Sequence, residues 1–180
     1  MLLNWLPKYF HDRLGTSVTD TGFLLIVPYV VPFLASNASG AVADHLMGPR
    51  RGWRTAAARK ALQAVAFLGP AACLLALAVG GGARGEATLT ALSAGALGFG
   101  AFSHAAYWAN LLDISPRHVG TLLGISNTWA TCAGVFANLA TGCLLETRAS
   151  WGGAFAVAIG IYGVGLVVFT SFAKGHVVFE

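Results

Sequence analysis

Five stretches of this sequence contain no Asp, Glu, Lys or Arg, and each is at least 20 residues long. They are residues 21–43, 61–80, 87–109, 119–145 and 152–173. An α-helix needs about 20 residues to cross a hydrocarbon layer of roughly 30 Å. Every charged residue lies in a short connection or at a chain end. The sequence therefore predicts an all-α integral membrane protein with five full spans.

The composition argues against a soluble domain. Of the 180 residues, 56% are hydrophobic and 10% are charged, whereas a soluble domain has about 25% charged residues. One small core could not bury so much apolar surface, so we expect the lipid bilayer to surround the chain. Residues 1–14 are apolar but too short to span, and we interpret them as the outer end of a helix whose beginning is absent. We expect one domain over 1–180.

Basic residues set the predicted orientation. The connection 44–60 alone contains Arg50, Arg51, Arg54, Arg59 and Lys60, and short loops rich in Lys and Arg stay on the inner side of a membrane. The formal charge of +4 therefore reflects topology, and nucleic-acid binding is not indicated. The chain shows no nucleophile–base pair and no metal-ligand cluster, so we expect neither an enzyme nor a metal site.

Small residues recur four apart on several predicted helices. Gly120 and Gly124, Ala130 and Gly134, and Gly152, Ala156 and Gly160 lie on common helix faces. In lipid, such faces allow helix backbones to approach closely and gain dispersion contacts. We expect these faces to pack against neighbouring helices or to slide during a conformational cycle.

Polar side chains inside a span are costly unless they are satisfied, so each is a candidate for the functional site. His104 is the one histidine within the uncharged stretches. It could accept a proton, contact a substrate, or be a neutral imidazole bonded to a neighbouring helix. Asn138 is expected to form an interhelical hydrogen bond. The candidates for the substrate pathway are Asn37, His104, Tyr107, Asn110, Ser126, Asn127 and Thr128.

Several motifs, in order, resemble the major facilitator superfamily, and within it the sodium-phosphate and vesicular anion transporter branch that includes plant plastid transporters. The motifs are 5–10 (WLPKYF), 40–44 (GAVAD) with the basic loop, 59–71, 113–117 (DISPR) and 122–128 (LLGISNT). The resemblance covers nearly the whole chain. One departure is Leu111, where the family usually has a His two residues before Asp113, so no role of that His is carried over.

The resemblance implies the C-terminal half of a twelve-helix bundle. Residues 1–14 would be the end of helix seven, and the five uncharged stretches would be helices eight to twelve. It also implies that the inner loops form a conformational latch, built from Gly40, Asp44, Arg50, Arg51, Asp113 and Arg117. We expect Asp113 and Arg117 to form a hinge with each other. Plain topology-setting charge is the alternative for these residues.

The resemblance further implies secondary active transport of a small anion, inorganic phosphate first, by alternating access. Coupling to Na⁺ or H⁺ is expected, with no other cofactor. The expected partners are the lipid bilayer, the small anion and the missing N-terminal half. Alternatives are an organic-anion transporter (ascorbate, glutamate or a sugar acid) and a half-carrier with a structural role that does not transport. A plastid envelope or thylakoid membrane is favoured, and a Golgi or plasma membrane stays open.

Overall fold

A computed structural model describes residues 2–15, 18–80, 85–148 and 150–178, and leaves undescribed the side chains of 18–21, 23 and 148. Met1 of the predicted segment 1–14 and the last two residues of the predicted domain lie outside this range. The elements are α1 (Leu2–Leu14), α2 (Val18–Met47), α3 (Thr55–Val79), α4 (Glu86–Gly100), a π-helix (His104–Trp108), α5 (Ala109–Ile114), α6 (Val119–Arg148) and α7 (Trp151–Phe172).

Four of these helices are long enough and apolar enough to cross a membrane. Their qualifying segments are Leu24–Met47, Thr55–Val79, Val119–Thr147 and Trp151–Phe172. Each one contains most of a stretch that lacks charged residues, since an uncharged apolar helix satisfies its backbone polar groups internally and needs no water. The prediction of an all-helical membrane fold is confirmed.

The fifth uncharged stretch also lies in helical structure, but its helix is interrupted. After α4 ends at Gly100, a short turn leads into the π-helix and then into α5. In the π-helix, the amide of Ala109 donates to the carbonyl of His104, five residues earlier. From Glu86 to Ile114 this composite helix would extend over roughly 40 Å at 1.5 Å per residue, which is enough to cross a bilayer.

Helix α3 is central, with α4 and α7 packed against it, and α2 packs against α4. Glycines produce the close contacts in this arrangement. A Cβ at Gly98 would lie 2.7 Å from Val31 of α2, and one at Gly165 would lie 3.0 Å from Phe67 of α3. Gly69 of α3 is similarly close to Phe99 of α4. The bundle therefore depends on glycine where its helices meet most closely.

The glycines that were expected to lie at helix contacts are not the glycines found there in the structure. A Cβ placed on Gly120, Gly124, Gly134 or Gly160 would meet no other atom within 4 Å. Helix α6 has few contacts, which are mainly with α5 and α7. The expectation of close packing at these positions is therefore wrong within the described part of this chain.

Helix α1 is anchored to α7 by aromatic side chains. The Tyr9 ring lies edge-on to Trp151 at 5.0 Å between centroids and to Phe155 at 5.3 Å. Leu6, Tyr9 and Phe10 are all buried. Helix α1 is thus part of the bundle and lies beside α7.

Candidate functional site

A hydrogen bond joins Ser36 of α2 to His104 of the π-helix at the surface of the bundle. The Ser36 Oγ and His104 Nδ1 atoms are 2.9 Å apart. Ser36 precedes the end of α2 at Met47, and His104 precedes the end of α5 at Ile114, by about three helical turns each, or roughly 15 Å. Ser36 lies seven residues before the end of the uncharged stretch 21–43, and His104 lies five residues before the end of 87–109, so both are within predicted spans.

Both partners are placed by the packing of α2 on α4. Gly98 lets Val31 approach α4 closely, and one to two turns further along the two helices Ser36 comes within reach of His104. His104 itself is exposed on the surface of this bundle. The sequence left open whether this imidazole is bonded to a neighbouring helix or faces a pathway, and the structure shows a bonded and exposed side chain.

Asn37 and Tyr107 lie near this pair on the same two elements. The Asn37 side chain is exposed, and its Nδ2 donates to the carbonyl of Phe33 in its own helix at 2.8 Å. Tyr107 is half-buried, with its ring 5.9 Å from that of Trp108. Asn37, Ser36 and His104 therefore supply the polar groups on this part of the exposed surface.

Asn110 does not face this surface. It is 6% exposed, and its Nδ2 donates to the carbonyl of Lys174 at 2.6 Å. It thus fixes the segment that follows α7 against α5. The amide of Val178 adds a hydrogen bond to the carbonyl of Ile114 at 2.8 Å. In this structure Asn110 anchors the chain after α7.

The Ser126–Asn127–Thr128 triplet lies on α6, separate from the Ser36–His104 pair. Asn127 and Thr128 are exposed, and Ser126 is half-buried. The Thr128 hydroxyl donates to the carbonyl of Gly124, within the same helix. Within the described ranges, no hydrogen bond joins the triplet to His104. Helix α6 is held to α1 by the Trp5 indole, which donates to Asn138 at 3.1 Å, and this confirms the interhelical role expected for Asn138.

A buried ion pair fixes the inner end of the composite helix. Arg59 of α3 donates to both carboxylate oxygens of Asp113, from Nε at 2.7 Å and from Nη2 at 3.3 Å. Its Nη1 donates to the carbonyl of Ala105 in the π-helix at 2.7 Å. Arg59 is 9% exposed. One guanidinium thus ties α3 to both the π-helix and α5.

This ion pair corrects the expected hinge between Asp113 and Arg117. Arg117 is exposed and, among the described residues, forms no ion pair. The carboxylate instead meets Arg59, because the π-helix packs on α3 and leads directly into α5, which bears Asp113. The sequence did not lead us to predict that Arg59 and Gln63 are buried polar residues of α3. Their spacing of four residues, which puts both on one helix face, was the available signal. In the structure Gln63 donates to Ser103 at 3.1 Å.

The other expected latch residues lie at the inner ends and have no side-chain partner among the described residues. Gly40 has open space around it. Asp44, Arg50 and Arg51 are exposed. The turn after α2 is closed by the Trp53 amide donating to the carbonyl of Leu46, with Gly52 at φ +58°. Glycine suits that conformation because a side chain there would clash with the backbone. A latch that involves these charges would need a partner beyond the described residues.

One concave surface of the described bundle is apolar. A groove of about 330 Å³ lies between α6 and α7, lined mainly by alanines with Phe136, Val157 and Ile161. Its polar member, Thr141, donates its hydroxyl to the carbonyl of Ala137. Nothing in this lining could hold an anion. In the part of the chain that is described, no group of three or more His, Cys, Asp or Glu could hold a metal ion.

Comparison with known proteins places these features among plant transporters. The chain is 38% identical to "Probable anion transporter 4, chloroplastic" of Oryza sativa subsp. japonica, and the match covers 100% of this chain and 29% of that protein. It is 36% identical to "Ascorbate transporter, chloroplastic" of Arabidopsis thaliana, covering 100% of this chain and 32% of that protein.

A further relative is "Sodium-dependent phosphate transport protein 1, chloroplastic" of Arabidopsis thaliana, at 35% identity over 100% of this chain and 34% of that protein. No family model matches the chain. The chain spans about a third of the length of these curated relatives. It is homologous, along its whole length, to plant anion and phosphate transporters.

Proposed function

We propose that this chain is the C-terminal half of a twelve-helix major facilitator transporter that carries a small anion, inorganic phosphate first, by alternating access. The carrying observation is the identity of 35–38% over the entire chain to relatives named for anion, ascorbate and phosphate transport. In such transporters one half moves against the other around a site near the membrane midplane. We propose the Ser36–His104 pair as part of this chain's contribution to such a site.

The polar groups of this chain suit one wall of such a site. The uncharged stretches hold hydroxyls, amides and one imidazole but no fixed cation. Ser36, Asn37 and His104 are grouped on the exposed surface of α2 and the π-helix, and Asn127 and Thr128 are exposed on α6. These groups can hydrogen-bond an anion, while the fixed positive charge would come from the other half of the protein.

Coupling to a cation gives uptake a direction. An anion that enters a negative compartment works against about 2.3 kcal/mol per charge per 100 mV. Co-transport of Na⁺ or H⁺ reverses that sign. We include this coupling, with either cation, in the proposed mechanism.

The test is uptake by the complete transporter in proteoliposomes. Labelled phosphate and labelled ascorbate are offered with an inward Na⁺ gradient, with an inward H⁺ gradient, and with neither. Accumulation of one anion under one gradient supports the proposal. Equal uptake with and without both gradients contradicts coupling, and no saturable uptake of either anion contradicts transport of these substrates.

Ascorbate is the second candidate substrate, favoured by the relative named for it at 36% identity. The same assay separates the two anions, because each competes with labelled uptake of the other only if both are bound. The relatives' names further support a plastid membrane, envelope or thylakoid, as the location. Fluorescent fusions of the complete protein, compared with envelope and thylakoid markers, test this assignment.

A further inference from the structure

We infer that the Ser36–His104 pair is a proton-binding site, and that the proton bound there is the cation co-transported with the anion. This inference rests on the proposed function and deepens it, since it selects H⁺ over Na⁺ and assigns the proton to one side chain. The observation behind it is an exposed imidazole, within a stretch that lacks charged residues, that is hydrogen-bonded across two helices at 2.9 Å.

His104 is the one side chain in the five uncharged stretches whose charge could change near neutral pH. Imidazole gains its proton between about pH 5 and pH 8 when unperturbed, whereas tyrosine and cysteine ionise at higher pH. The other four histidines lie outside those stretches, at positions 11, 45, 118 and 176. Any positive charge that this half contributes near the midplane must therefore be on His104.

The charges around His104 leave this role open to it. Arg59 of α3 donates to the carbonyl of Ala105, the residue after His104, and Asp113 of α5 follows His104 by nine residues. These two charges neutralise each other in their ion pair. Among the described residues His104 forms no ion pair, and Ser36 is its hydrogen-bond partner. Among the side chains that the structure describes, the remaining charged or titratable groups on packed elements are Lys60 and Cys73 of α3, Tyr29, Asp44 and His45 of α2, and Tyr107 in the π-helix itself.

The hydrogen bond to Ser36 responds to protonation. In a neutral ring, Nδ1 can accept from the hydroxyl or donate to it, depending on which nitrogen carries the hydrogen. In the imidazolium both nitrogens donate, so the Ser36 oxygen must accept. The Ser36 hydrogen and the Nε2–H group are then both available as donors to an anion oxygen. Protonation thus adds a positive charge and hydrogen-bond donors to the same exposed surface.

Binding of the proton and of the anion then favour each other. An imidazolium near the middle of a membrane is costly alone, and so is an anion. Together they form an attractive pair, so each ligand raises the affinity for the other by the same factor. A sodium ion would instead need several oxygen ligands, and here the partner of the hydroxyl is a nitrogen.

The functional test uses the complete transporter with His104→Asn, whose amide can replace Nδ1 in the bond to Ser36 but cannot gain a proton. An inward gradient of about one pH unit sustains roughly tenfold accumulation per co-transported proton. We expect the wild type to approach this value and His104→Asn to lose accumulation while anion exchange at equal pH persists. The matched control, His118→Asn, alters an exposed histidine just before α6 and should accumulate like the wild type.

A second measurement keeps the inference separate from the proposed function. Histidine ¹⁵N NMR of the complete transporter in lipid nanodiscs reports protonation, with His104 assigned by its absence from the His104→Asn spectrum. Addition of phosphate or ascorbate near pH 6.5 should increase the protonated fraction of His104. An imidazole that stays neutral from pH 8 to pH 5 with and without these anions overturns the inference.

The transport outcomes also differ. If His104→Asn still accumulates the anion under a pH gradient, or if Na⁺ alone drives the wild type, the proton site is wrong while anion transport stands. If the wild type moves neither anion, the proposed substrates are wrong, and the NMR titration alone decides whether His104 binds a proton.

Discussion

The Arg59–Asp113 ion pair shows how one side chain can stabilise an irregular helix. The Ala109 amide bonds the carbonyl of His104, five residues back, and the Ala105 carbonyl accepts from the guanidinium. A carbonyl without a partner in a low-dielectric interior costs free energy. Arg59 supplies that partner, and Asp113 neutralises the charge that this requires.

We therefore expect Asp113→Asn to destabilise the protein by about 3 kcal/mol, because removing one partner leaves a buried guanidinium without its counter-charge. Thermal unfolding in detergent, followed by circular dichroism, measures the change. Arg117→Gln is the matched control, since this exposed residue has no ion pair in the described part of the chain. A variant Asp113→Asn as stable as the control would show that the pair contributes little.

At this scale, sequence could identify which residues needed partners but could not identify the partners. Asn138 was correctly expected to bond across helices, because an amide in lipid requires it. Asn110 was grouped with His104 as a pathway residue, yet one side chain is buried and the other exposed. Six residues apart, the two positions already lie about 120° apart around a regular helix. The sequence thus separates their faces, but it does not show that the segment after α7 covers Asn110.

At the scale of elements, close helix contacts occur at glycines that the four-residue pattern did not select. Gly69, Gly98 and Gly165 have large side chains of neighbouring helices against them. Gly124 and Gly134 on α6 have nothing near them. The glycines of both sets are small residues of the kind expected where helices meet in lipid. The presence of the spans was predictable from charge alone, but the pairing of faces depends on which helices are neighbours.

This contrast gives a paired prediction. Gly98→Val should destabilise the bundle by about 1–3 kcal/mol, because the added side chain overlaps Val31 of α2 and forces the two helices apart. Gly124→Val carries the same change onto α6, where there is open space, and should leave unfolding of this chain unchanged. Unfolding of both variants is compared in one detergent. Equal losses of stability would contradict the assigned packing of α2 on α4.

Over the whole molecule, α2 and α6 carry large apolar side chains that are mostly exposed in the described part of the chain. Phe33 on α2 is 68% exposed, and Trp129 and Phe136 on α6 are 74% and 72% exposed. Exposed glycines and polar residues share α6 with them. Lipid can cover the apolar groups, but lipid tails cannot satisfy the amide of Asn127 or complete an anion site that lacks a fixed cation. A transport site would therefore require further protein against these surfaces.

We accordingly expect this chain, expressed and reconstituted alone, to insert into a bilayer without catalysing anion uptake. The complete transporter should restore uptake, because α2 and α6 would then face protein on the side that bears Ser36, His104 and Asn127. The measurement is labelled phosphate and ascorbate uptake into proteoliposomes of each, at equal protein content. Saturable uptake by the chain alone would mean that two copies can enclose a site. Crosslinking through the exposed Cys132 of α6 would reveal such an assembly, since a second copy against α6 brings the two thiols to one interface.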